Sequence, residues 1–108
     1  MKRIICFCIS LFFILQTTLA ISIPNPTNEF FVNDFANVID ADDEREIFNI
    51  AKSLYESSDN STQVVVVTID SLEGNSLEEY ANELFNNWGF GSKEKDDGVL
   101  LLLVVKDR

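Results

Sequence analysis

The stretch QVVVVTIDSLEGNSLEEYANELFNNWGFGSKEKDDGVLLLLVV, residues 63–105, decides the fold. It opens on Gln63–Ile69, where four valines in a row leave no polar face, so the spacing predicts a strand covered on both sides. It closes on Val99–Val105, an unbroken apolar run of the same kind. Between them, Leu77, Tyr80, Ala81, Leu84, Phe85 and Trp88 fall at helical spacing, with Glu78, Glu79, Asn82, Glu83 and Asn86 opposite. Ser76 and Glu79 form a capping box at the start of this helix, and Gly89 supplies a left-handed stop. Strand, helix and strand in this order make a βαβ crossover, and two strands apolar on both faces favour parallel pairing.

Upstream, Asp40 is placed to cap a second helix over residues 41–57, with Asp42, Asp43 and Glu44 at the positive end of its dipole. Ile47, Ile50, Ala51, Leu54 and Tyr55 form its apolar stripe. Residues 21–33 hold both prolines and no helical period, and they read as an extended lead-in. Phe30, Phe31 and Phe35 are expected core anchors. The domain is expected over 34–108. The chain stops at Arg108, just past a strand expected to be central, and a two-stranded parallel sheet is not a stable endpoint. The expectation is therefore a three-layer α/β/α sandwich with a mostly parallel sheet, incomplete at its C-terminal side.

Residues 1–20 have the layout of a secretory signal peptide: Lys2 and Arg3, an apolar run from Ile4 to Leu15 broken only by Ser10, then Thr18-Leu19-Ala20. That run is shorter than the ~20 residues a membrane-spanning helix needs. The expected product is exported, to a periplasmic, extracellular or envelope-associated location. Of 8 basic residues, Lys2 and Arg3 would leave with the signal, so 6 basic against 18 acidic residues give the mature chain a charge of −12. Such a surface repels nucleic acid and anionic lipid and suits cations or basic partners. Both cysteines, Cys6 and Cys8, lie within the signal, so no disulfide is expected in the mature domain. The sequence has no histidine, which excludes Ser-His-Asp and Cys-His catalysis and the usual zinc sites.

Several nucleotide and metal motifs fail on spacing. Gly89 and Gly91 follow a helix and precede a strand, the reverse of a dinucleotide fingerprint. An EF-hand register built on Gly98 would put Lys93 and Lys95 where ligands belong. Asp70 ends a strand at the carboxyl edge, where open α/β sheets place their sites, but it lacks a catalytic motif and reads first as a loop residue. Asp96 and Asp97 precede Gly98 and an apolar strand. Turn chemistry accounts for them, and Lys93 and Lys95 could neutralise them. The functional alternative is a hard-cation site, in which these two carboxylates and a third, Asp34, hold calcium through oxygen ligands. Magnesium shares that preference for oxygen.

The chain also resembles the TPM domain family. The resemblance rests on VNDFANVID (32–40) with Asp34-x-Ala36, on the run from Tyr80 through Trp88-Gly89-Phe90-Gly91, and on Lys95-Asp96-Asp97-Gly98 before an apolar strand. It implies an α/β/α sandwich behind a signal peptide, often followed by a glycine-rich tail or a membrane helix that would tether it. It carries the family's Asp-x-Ala carboxylate onto Asp34 and its Lys-Asp-(Asn or Asp)-Gly onto Lys95–Gly98. Some relatives resemble calcium binders, plant relatives are linked to a proposed acid phosphatase activity, and animal relatives to modulation of a receptor. The reading expected from residues and resemblance together is a calcium-binding, protein-interacting module at the cell envelope, with metal ligands Asp34, Asp96 and Asp97, no assigned catalytic residue and no nucleic-acid partner. The alternatives are a metal-assisted acid phosphatase and a non-catalytic acidic subunit that docks a basic partner.

Overall fold

The computed structural model describes residues 21–90 and 97–106. The expected signal peptide lies outside them, as do Lys93, Lys95 and Asp96. Three strands, β1 (Val32–Asp34), β2 (Gln63–Ile69) and β3 (Gly98–Val104), and two helices, α1 (Ala41–Ser57) and α2 (Leu77–Trp88), alternate along the chain. The sheet order is β1-β2-β3 and every pairing is parallel. Asp34 stands beside Thr68, and Gly98 beside Gln63.

The helix ends follow from local chemistry. Asp40 Oδ1 accepts the Asp43 N–H at 3.0 Å, and Ser76 Oγ accepts the Glu79 N–H at 3.1 Å, each satisfying a donor the first helical turn leaves unpaired. Gly89 closes α2 with φ 60° and ψ 45°, its N–H donating to Phe85 O. That left-handed conformation disfavours any residue with a Cβ.

The two faces of the sheet are covered differently. Val65, Val67 and Ile69 of β2 meet Tyr80 and Leu84 of α2 and Phe90, with Leu100, Leu102 and Val104 of β3 packed alongside. No residue of α1 belongs to that cluster, so α1 covers the opposite face, where it packs on β1 and β2. Phe31 anchors it, its ring 5.8 Å from Phe48 and 5.7 Å from Tyr55. Helices on both faces of a parallel sheet make the expected α/β arrangement.

Several expectations are corrected. The lead-in contains a strand, β1, and is part of the packed domain. Trp88 Nε1 donates to Pro24 O at 2.9 Å, and Ile21 and Ile23 pack against the core cluster. Asn33 is fully buried within β1, where its side chain accepts from Thr27 N and Thr27 Oγ1 and donates to Phe30 O. The sheet thus has three strands among the described residues rather than two. Strand β3 is covered on one face only: Val99, Leu101 and Leu103 are 53, 61 and 52% exposed, because α1 reaches β1 and β2 but not β3. Phe35 sits at the surface, edge-on to Trp88. On α1, Ala51 is buried, whereas Ile50 is exposed. Among the described residues, no helix is long and apolar enough to cross a membrane.

Candidate functional site

In a parallel sheet all strands point one way, so the residues that end strands share one edge and those that begin strands share the other. Asp34 ends β1 and Asp70 follows β2, so both stand at the carboxyl edge, where open α/β sheets place their sites. Asp34 is held there by four donors. Thr68 Oγ1 donates to its Oδ1 at 2.6 Å and Val38 N to the same oxygen at 3.1 Å. Ile39 N donates to Oδ2 at 3.0 Å, and the Asn37 N–H donates to the Asp34 backbone carbonyl at 3.1 Å. The Thr68 hydroxyl itself accepts from Ala36 N at 3.1 Å. The carboxylate thus pins the loop between β1 and α1. Burial by itself would raise its pKa, but the bonds from Thr68 and from the backbone of Val38, Ile39 and Asn37 outweigh this and hold it below the ordinary value.

Asp97 occupies the other edge. It immediately precedes β3, its backbone carbonyl accepts from Gln63 N at 3.3 Å, and its Oδ2 accepts from Thr62 Oγ1 at 3.3 Å. Between Gln63, beside Asp97, and Thr68, beside Asp34, run five residue steps of β2. At ~3.3 Å per step the two carboxylates are about 17 Å apart along the sheet. Calcium–oxygen distances are ~2.3–2.6 Å, so no single ion touches both. Asp34 and Asp97 therefore do not share one cation, because strand direction sends these two to opposite edges. Asp96 lies outside the described residues. Among the described residues, no group of three or more acidic, histidine or cysteine side chains is arranged to hold a metal ion.

Three features of the carboxyl edge escaped the sequence reading. Thr68 reads as one more strand residue, yet its hydroxyl is the shortest contact to Asp34. Glu44, in the first turn of α1, faces Glu29. Burial, then a hydrogen bond with the Glu29 carboxyl, then the charges of Glu29 and Asp34 push its pKa up. Tyr80 lines a cleft beside Asp70. Its ring belongs to the predicted apolar stripe of α2, and nothing in helical spacing says which end of the ring meets solvent. A signal for Thr68 was present: β-branched and hydroxylated, it stands at the end of a valine run where a polar group has a reason to be.

A parallel sheet flanked by helices, with carboxylates where its strands end, defines an α/β sandwich domain. The family model for the TPM domain matches residues 32–108, and the chain belongs to that family. Its match begins at the first residue of β1. No curated protein matches the sequence.

Proposed function

We propose that this TPM domain works outside the cytoplasm as a non-catalytic module that docks a basic protein partner at the cell envelope and binds calcium through Asp96 and Asp97. The observation that carries the non-catalytic part is the bonding of Asp34. A carboxylate that attacks a phosphoryl group must turn an accessible oxygen lone pair toward it. Asp34 has both oxygens engaged and its basicity lowered by the same donors. The absence of histidine from the sequence removes the commonest general base as well. The expected export and the mature charge of −12 support a basic partner, which an acidic surface steers and retains.

The calcium part rests on the adjacent carboxylates Asp96 and Asp97, whose mutual repulsion a divalent ion relieves. It takes no ligand from Asp34. The test is a melting curve with and without calcium chloride on the wild type, Asp97→Asn and Asp34→Asn. Calcium at 100 times its dissociation constant stabilises by about 2.7 kcal/mol, which Asp97→Asn abolishes and Asp34→Asn leaves intact. A wild-type midpoint that calcium does not move removes the ion from this proposal. Hydrolysis of a generic phosphate ester by the wild type, lost in Asp34→Asn, replaces the proposal with the phosphatase reading.

A further inference from the structure

At the carboxyl edge, between the end of β2 and the first turn of α2, lies a cleft of about 320 Å³ lined by Phe35, Asp70, Glu73, Asn75 and Tyr80 among others. That volume is at the small end of ligand pockets. Tyr80 is 6% exposed, yet among the described residues its hydroxyl makes no hydrogen bond. No buried side-chain oxygen or nitrogen lacks a partner among the described residues, so this hydroxyl reaches solvent, and it does so where the ring lines the cleft. Asn75 spends its amide N–H on Leu72 O at 3.0 Å, which leaves the amide oxygen as an acceptor. Asp70 and Glu73 add two carboxylates, and among the described residues no basic side chain lines the cleft. Lys106 comes near, its backbone N–H donating to Asp70 O at 2.8 Å, but its side chain makes no ion pair with either acid.

The cleft therefore offers acceptors, negative charge and the face of an aromatic ring, and among the described residues it holds no donor-rich cation. We infer that it receives the cationic end of a lysine or arginine side chain carried by a basic protein partner. The Tyr80 oxygen and the Asn75 amide oxygen accept from the incoming N–H groups, Asp70 and Glu73 balance the charge, and Phe35 packs against the cation or its stem. A hard metal ion suits the cleft less well: an aromatic wall and a phenol hydroxyl are poor calcium ligands beside carboxylates and carbonyls. This inference rests on the basic-partner part of the proposed function and is independent of calcium.

The test is an amide-resolved NMR titration of the purified protein with N-acetyl-arginine amide, N-acetyl-lysine amide and, as a neutral control, N-acetyl-glutamine amide. Saturable shifts confined to residues 70–75 and 80, given by the two cationic amides and not by the control, are expected. Asp70→Asn should weaken binding about tenfold, the scale of one charge-assisted hydrogen bond. Tyr80→Phe should weaken it severalfold while melting close to the wild-type temperature, since the lost hydroxyl has solvent rather than a protein group as its partner. Shifts spread over the whole acidic surface, equal affinity in Asp70→Asn, or a Tyr80→Phe variant that melts lower and binds unchanged would each overturn the site. Octalysine separates the two levels of the argument. If it binds wild type and Asp70→Asn alike, basic-partner docking stands and the cleft is wrong, and if it binds neither, both fall.

Discussion

Thr68 donates its hydroxyl hydrogen to Asp34 across the β1–β2 pair at 2.6 Å, from a side chain that is 1% exposed. The same oxygen accepts from Ala36 N, so one hydroxyl ties the end of a three-residue strand to the loop that follows it. Replacing Thr68 by Val keeps the shape and removes the hydroxyl. It leaves the Ala36 N–H unpaired and deprives Asp34 of its shortest donor. The expected cost is about 1–3 kcal/mol in urea unfolding, the scale of an unmet buried polar group. Thr68→Ser, which keeps the hydroxyl, should cost less. Equal stability of Thr68→Val and wild type would show that the β1 loop does not depend on this bond.

Acid should unfold the protein partly through Asp34. Its folded pKa is held below the ordinary 3.8, so the unfolded chain takes up this proton first. The stabilisation is therefore fully present above 3.8 and is lost as pH falls through the folded value. Urea midpoints measured from about pH 5 down to about pH 2 should fall more steeply for wild type than for Asp34→Asn. Parallel curves would mean that Asp34 has the same pKa folded and unfolded.

Glu44 works with the opposite sign. Its folded pKa lies above the ordinary 4.5, so the protonated form suits the folded state and ionisation at neutral pH is a burden. Glu44→Gln should raise the melting temperature at pH 7, and the gain should vanish as pH drops below 4.5 and both states become protonated. The first turn of α1 favours a negative charge, which opposes this effect by about 0.3–1 kcal/mol. A lower melting temperature in Glu44→Gln would show that the helix dipole outweighs the repulsion from Glu29 and Asp34.

The core was legible where short-range chemistry decides it. The caps Asp40, Ser76 and Gly89 are visible as residue types at fixed offsets and set the starts of α1 and α2 and the end of α2, while the valine run marks β2. Strand β1 was not legible, because Val32–Asp34 is too short to show a period and holds a buried Asn33 that Thr27 and the Phe30 and Val66 carbonyls make tolerable. That omission hid the geometry of the candidate site. With β1 unassigned, nothing placed Asp34 at the end of a strand, and hence nothing showed that parallel pairing sends it to the edge opposite Asp97. Exposure of alternate β3 residues was equally hidden, since an apolar run does not say which helix covers it.

That uneven covering has a mutational signature. Leu84 is 0% exposed and Leu101 is 61% exposed, though both are leucines on predicted apolar faces. Leu84→Ala should cost about 2–5 kcal/mol, by lost burial and the cavity left behind. Leu101→Ala should cost less than about 1 kcal/mol, the range of an exposed side chain away from the core. Comparable losses in urea unfolding would show that the outer face of β3 is covered in solution.

The separation of Asp34 and Asp97 is open to a double-mutant cycle. Sites more than ~7–10 Å apart that share no partner add their stability effects to within about 0.3–0.5 kcal/mol. Asp34 bonds Thr68 and the Val38–Ile39 backbone, whereas Asp97 bonds Thr62, so the two networks share no residue in these contacts. Asp34→Asn and Asp97→Asn should therefore be additive in urea unfolding, in calcium and in its absence. Two carboxylates holding one ion behave differently: either substitution alone disables the site, and the second adds little when calcium is present. Additivity without the ion that collapses on its addition would bring Asp34 and Asp97 onto a common cation and require β1 to run in a different register from the one paired with Val66–Thr68.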